Sequence, residues 1–180
     1  MRSVCVYCGS SANAPEAHFA AARELGAAIA RAGLTLVYGG AHVGLMGALA
    51  DAALAAGGAV TGVIPRALVR MEVAHGGLTA LHEVESMHDR KALMAELSDA
   101  FIALPGGFGT LDELCEIATW ALLGFHHKPV VLANLGGYYD GLLAFLSRAA
   151  QEGYIRPQHR ALLRTARTVD EALRLAAQPG

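Results

Sequence analysis

Two rhythms of apolar and polar positions alternate along the chain. Short β-rich runs at Ser3–Tyr7, Thr35–Tyr38, Val60–Ile64, Leu81–Val84, Ala100–Leu104 and Pro129–Ala133 predict strands, and a weaker run sits near Leu162–Thr165. Longer Ala- and Leu-rich stretches with helical spacing lie between them, near Ala14–Ala32, Gly44–Ala56, Ser86–Leu97, Thr110–Leu123, Tyr138–Glu152 and Val169–Ala177. Several strands are unbroken apolar runs, the pattern of a strand covered on both faces. Such an order predicts an α/β fold, a mostly parallel sheet with helices on both faces. The sequence shows no linker, low-complexity segment or repeat, so residues 1–180 read as one domain.

Composition narrows this reading. At 54% apolar and 17% charged residues the chain is far from a disordered composition, and 180 residues suffice to bury roughly 70% of the unfolded surface. The net charge is −2 with both signs scattered, which disfavours nucleic acid as a partner. No apolar run reaches membrane-spanning length. The apolar part of Met1–Gly9 is too short for a signal peptide and reads as a first strand. Three cysteines without a secretory signal point to a reduced, cytoplasmic setting.

In parallel sheets ligands bind beyond the carboxyl ends of the strands. Three of those ends are rich in glycine: Cys8-Gly9-Ser10-Ser11, the segment from Gly39 to Gly47, and Pro105-Gly106-Gly107-Phe108-Gly109-Thr110. The third carries the strongest signal, a buried strand running through glycines into a helix. Backbone N–H groups and the helix dipole there suit a phosphate, and Thr110 can add a hydroxyl. The dinucleotide fingerprint fails, because its third glycine position is Asp112, and the Gly-Lys-Ser/Thr of a Walker A loop is absent. One phosphate fits better than a pyrophosphate. Thr110-x-x-Glu113 also has the spacing of a capping box, with Glu113 bonded back to the Thr110 amide. The two readings coexist if Glu113, one turn inside, reaches a sugar attached to the phosphate.

Ser86-Met87-His88-Asp89-Arg90-Lys91 opens another helix, with Ser86 as N-cap and Asp89 in the first turn. Arg90 and Lys91 oppose the dipole there, a conflict that an anionic ligand would relieve. The plainer reading has Glu83, Glu85 and Asp89 neutralising them on a solvated face. Glu72, after the third strand, is an ordinary carboxylate unless it lies beside these groups. Three further signals are weak. Cys5-x-x-Cys8 straddles a strand end, away from a helix N-terminus that would stabilise a thiolate. His82-Glu83-x-x-Ser86 lacks the second zinc-binding His. His126-His127-Lys128 suits capping of a preceding helix end.

Pro105-Gly106-Gly107-Phe108-Gly109-Thr110-Leu111-Asp112-Glu113 resembles the PGGxGTxxE signature of the LOG ("Lonely guy") family of cytokinin riboside 5′-monophosphate phosphoribohydrolases. The resemblance runs in order through Val4–Ser11, Tyr38-Gly39-Gly40, Val43–Gly47, Gly62–Pro65, Met87-His88-x-Arg90-Lys91 and Gly137-Tyr138-Tyr139. Ala41 departs from it, since many relatives carry a third glycine there. The resemblance implies a Rossmann-like sheet with a nucleoside 5′-monophosphate site. It implies hydrolysis of the N-glycosidic bond of N6-substituted AMP to free base and ribose 5-phosphate. Arg90 and Glu113 match the family's catalytic pair, and Glu72, Lys91, Gly107, Phe108, Gly109 and Thr110 match its substrate-contacting positions. Relatives assemble as dimers or larger oligomers, so a homodimer is expected; the hydrolysis itself requires no metal, no ligand cluster suggests one, and no cofactor is expected. Relatives have carried the label "lysine decarboxylase", a reaction that usually needs pyridoxal phosphate on a Schiff-base lysine. The only lysines, Lys91 and Lys128, lie in no such pattern.

Two other functions share these loops. One is a general nucleoside monophosphate nucleosidase, separated only by pocket shape. The other is a non-catalytic nucleotide or cofactor carrier, which would need the glycine loops but not Arg90 and Glu113 together.

Overall fold

A computed structural model describes residues 1–69 and 74–180. In chain order the elements are β1 (Ser3–Tyr7), α1 (Glu16–Arg31), β2 (Thr35–Tyr38), α2 (Gly44–Ala55), β3 (Val60–Pro65), α3 (Arg66–Val69), β4 (Ala80–Val84), α4 (Met87–Glu96) and β5 (Ala100–Ala103). Then come α5 (Phe108–Leu122), β6 (Val130–Ala133), α6 (Asp140–Gln151), α7 (Pro157–Arg160), β7 (Leu163–Ala166) and α8 (Val169–Ala176). The strands form one sheet in the order β4-β3-β2-β1-β5-β6-β7, and every strand pairing is parallel.

Side chains of a strand alternate between faces, so an apolar run feeds two cores. Val4 and Val6 of β1 join Leu25, Ile29, Leu49 and Ala172 under α1, α2 and α8. Cys5 and Tyr7, between them, join Met94, Leu114 and Ile117 under α4 and α5. β1 is central: the chain first steps outward to β4, then crosses back to place β5 on the other flank of β1. The two carboxyl ends diverge at this switch point and leave a crevice, the usual ligand position in such sheets.

Four local differences from the sequence pattern have physical causes. α5 starts at Phe108, two residues before the expected Thr110, because Gly107 supplies the turn and is the N-cap. α6 starts at Asp140 because Gly136 and Gly137, both at positive φ, bend the chain first. The short α3 and α7 escape a periodicity argument, although Pro157 at the first position of α7 is a helix-start signal. At the end of α5, His126 meets the Ile117 carbonyl, while Lys128 donates to Ala95 at the end of α4 instead.

Candidate active site

The loop between β5 and α5 forms one wall of the crevice. Gly107 caps α5 without any side-chain hydrogen bond, and the first helical bond runs from the Leu111 amide to the Gly107 carbonyl. The amides of Phe108, Gly109 and Thr110 precede that bond and are the orphan donors of the helix start, an anion-binding arrangement. Thr110 is thus the third helical residue and Glu113 lies in the second turn, so the capping-box reading of this pair does not hold. Close packing requires Gly106: a Cβ there would fall 2.1 Å from the Thr110 hydroxyl and 2.9 Å from the Gly9 amide. The loop is tied to β1 by the Gly9 amide, which donates to the Pro105 carbonyl at 3.1 Å.

α4 supplies the opposite charge. Its own N-terminus is closed by a capping box between Ser86 and Asp89. Arg90 and Lys91 follow and are buried, not solvated. Their counter-charges come from α5: Arg90 Nη1 lies 2.9 Å from Glu113 Oε1, and Lys91 Nζ lies 3.0 Å from Asp112 and 3.2 Å from Glu116. Glu83 and Glu85, expected from the sequence to neutralise them, pair with Arg66. The conflict of two cations near the start of α4 is therefore resolved by a neighbouring helix.

Glu113 is 5% exposed, and burial pushes its carboxyl up to about 7 against the downward pull of Arg90. The pair sets a buried carboxylate directly against a buried guanidinium. Burial pulls the Lys91 ammonium down, and its bonds to Asp112 and Glu116 more than reverse this, leaving it above the usual value.

A cavity of about 410 Å³ joins these parts. Gly107 through Thr110, Arg90 and Glu113 line it together with Gly9, Ser10, Leu45 and Met46. Lys91 is not in its lining, its ammonium being engaged between α4 and α5. Glu72 lies outside the described residues. Phe108 is 94% exposed at the rim. Ala41 is buried away from the cavity, bridged to Ala74.

The sequence reading gave no place in the site to the cavity-wall side chains of His18 and Tyr138, nor to Ala14 and Pro15 beside them. Tyr138 donates to the Gly106 carbonyl at 2.9 Å and meets His18 edge-on. Tyr139 donates to Leu104 at 2.7 Å. The segment after β6 thus clamps the loop after β5. Gly136-Gly137-Tyr138-Tyr139 at the end of a strand was the available signal.

A family model described as "Possible lysine decarboxylase" matches residues 46–176. A cytokinin riboside 5′-monophosphate phosphoribohydrolase of Rhodococcoides fascians is 50% identical over 179 residues, covering 99% of this chain and 90% of that protein. One from Arabidopsis thaliana is 46% identical over 173 residues, 96% of this chain and 81% of its own length. Among solved structures, the molybdenum cofactor carrier protein of Chlamydomonas reinhardtii superposes with a TM-score of 0.71 at 26% identity, over 96% of this chain and 94% of that one. The molybdenum cofactor binding protein of Rippkaea orientalis gives 0.74 at 22% identity over 97% and 95%, a likeness of fold alone. Fold and site together define a Rossmann-like protein with an uncapped helix N-terminus at its switch point. Within that class the chain belongs to the LOG family, the cytokinin riboside 5′-monophosphate phosphoribohydrolases. The decarboxylase description has no chemical support here: Lys91 is held by two carboxylates and Lys128 by the Ala95 carbonyl.

Proposed function

We propose that the chain hydrolyses the N-glycosidic bond of nucleoside 5′-monophosphates, cytokinin nucleotides (N6-substituted AMP) foremost, to free base and ribose 5-phosphate. The observation that carries this reading is the buried Arg90–Glu113 pair, one helical turn inside an uncapped helix end. The phosphate sits on the amides of Phe108, Gly109 and Thr110, and its binding energy aligns the ribose. As the C1′–N bond breaks, its electron pair leaves with the base and positive charge grows on the ribose. The Glu113 carboxylate stabilises that charge and takes a proton from the water whose oxygen bonds to C1′; the proton then passes through solvent to the departing nitrogen of the base, which restores the carboxylate. Arg90 anchors the nucleotide and orients Glu113. Lys91 serves the site through α5, whose Asp112 and Glu116 it holds, and Glu72 contributes a substrate contact. Water is the only co-reactant, so this scheme calls for no metal or cofactor.

A carrier would need the phosphate loop but not a buried carboxylate beside it. Apolar Ala14, Pro15, Leu45 and Met46 in the cavity wall support an apolar substituent on the base. The test is incubation with AMP, N6-isopentenyl-AMP, GMP and CMP, with free base followed by chromatography. Release of base, fastest from the N6-substituted nucleotide, is expected. Binding without release would return the carrier reading.

The working form in this proposal is one nucleotide-binding domain that pairs as a homodimer through the end of α5, where Leu122, Leu123 and Phe125 are exposed. A reducing cytoplasm suits its three free cysteines. Among the described residues no helix is long and apolar enough to cross a membrane.

A further inference from the structure

Three surfaces hold the Arg90 guanidinium. Nε donates to the Val63 carbonyl of β3 at 3.1 Å, and Nη1 meets Glu113 at 2.9 Å. Nη2 lies against Gly39, the first residue after β2: a Cβ built there would fall 1.9 Å from Nη2, 3.1 Å from Cζ and 3.2 Å from the Met46 sulfur. Backbone conformation does not demand glycine at this position. Gly40, next in the chain, has φ of +77°, whereas Gly39 lies outside the left-handed region. Main-chain packing does not demand it either, since the three atoms nearest that Cβ all belong to flexible side-chain ends. What a methyl group would displace is the functional cation.

We infer that Gly39 is a positioning residue for the hydrolysis: its missing side chain is the notch that seats the Arg90 guanidinium against Glu113. The inference rests on the proposed role of the Arg90–Glu113 pair. With Ala at position 39, Nη2 must retreat by roughly 1.5 Å to recover an ordinary contact. The guanidinium is a rigid fork, so Nη1 moves with it and the bond to Glu113 is stretched or lost. The main chain has nothing to accommodate, and the fold stays as it is.

The experiment compares wild type, Gly39→Ala, Arg90→Ala and the double variant. Readouts are kcat and KM for AMP, AMP affinity by calorimetry, and melting by circular dichroism. Gly39→Ala is expected to melt near wild type while kcat falls roughly 10- to 100-fold, the usual cost of about 1 Å of misplacement. In the Arg90→Ala background the same substitution is expected to cost no more than about twofold, because the group it displaces is gone. The acid limb of kcat/KM also moves to higher pH in Gly39→Ala as the pull of Arg90 on Glu113 weakens. The other groups facing Glu113, which are Lys91 of α4, Asp112 of its own helix, and Cys5, Tyr7 and Cys8 at β1, are left in place. Wild-type turnover in Gly39→Ala beside a slowed Arg90→Ala overturns this inference alone. So does a Gly39→Ala chain that fails to fold, or one that loses the same factor again without Arg90. Full activity of Arg90→Ala removes the pair from the mechanism and the notch with it.

Discussion

Glu113 sits where burial disfavours its charge and one cation favours it, so its protonation is set by a balance that a single substitution shifts. With the carboxyl near 7, the active carboxylate is present above that pH and lost below it. The neighbouring thiols of Cys5 and Cys8 and the Tyr7 phenol are raised by burial and stay neutral throughout. kcat/KM for AMP is therefore expected to fall as pH drops through about 7 and to level off above it. A profile flat down to pH 5 would contradict this. Glu113→Gln removes the charge that faces the developing cation and is expected to cost roughly 10²–10⁴-fold in kcat with the fold intact. Near-native turnover in that variant would end the assignment. Arg90→Ala lowers turnover and nucleotide affinity, and the two losses combine less than additively because the residues act as a unit. Both residues were readable from motif resemblance. The burial of Arg90 and Lys91 was not, because the apparent counter-charges in the sequence, Glu83 and Glu85, are neighbours only along the chain.

At the scale of elements, α4 and α5 make opposite choices at their N-termini. α4 closes its first turn with Ser86 and Asp89, whereas α5 leaves its amides open behind a glycine cap. The first choice is written in side chains and is legible in the sequence. The second consists of a missing side chain, so the Thr110–Glu113 spacing admitted a capping box that the true helix start excludes. If the open end holds the 5′-phosphate as proposed, AMP is expected to be cleaved and adenosine hardly at all, and equal kcat/KM for both would refute it. Gly107 offers a sharper test, because a Cβ there meets nothing within 4 Å. Gly107→Asp is expected to cap the helix, leave melting unchanged or slightly raised, and raise KM for AMP at least about tenfold as its carboxylate occupies the anion site.

Across the whole molecule, alternating apolar runs and helical segments were enough to establish a parallel sheet, since each strand needs a crossover to reach the next. Strand order was not readable, because the return from β4 to β5 beside β1 depends on which edge the crossover takes. That return sets the carboxyl ends of β1 and β5 side by side at the crevice, so the site is a consequence of topology as much as of motif. Assembly is a prediction at this scale. Leu122, Leu123 and Phe125 form an exposed apolar end on α5, and light scattering is expected to give about twice the 18.7 kDa chain mass. A mass of one chain at micromolar concentration would count against the dimer.

Burial has divided the three thiols into two kinds. Cys5 lies in the central strand and is fully buried, Cys8 lies just beyond that strand in the cavity wall, and Cys115 stands exposed on α5. With Cys8 and Cys115 replaced by Ser, an alkylating reagent reaches Cys5 only when the middle of the sheet opens. The chain thus carries an internal clock for its own unfolding. The labelling rate of that one sulfur, with and without AMP, reports how firmly an occupied crevice holds shut the strands that form it.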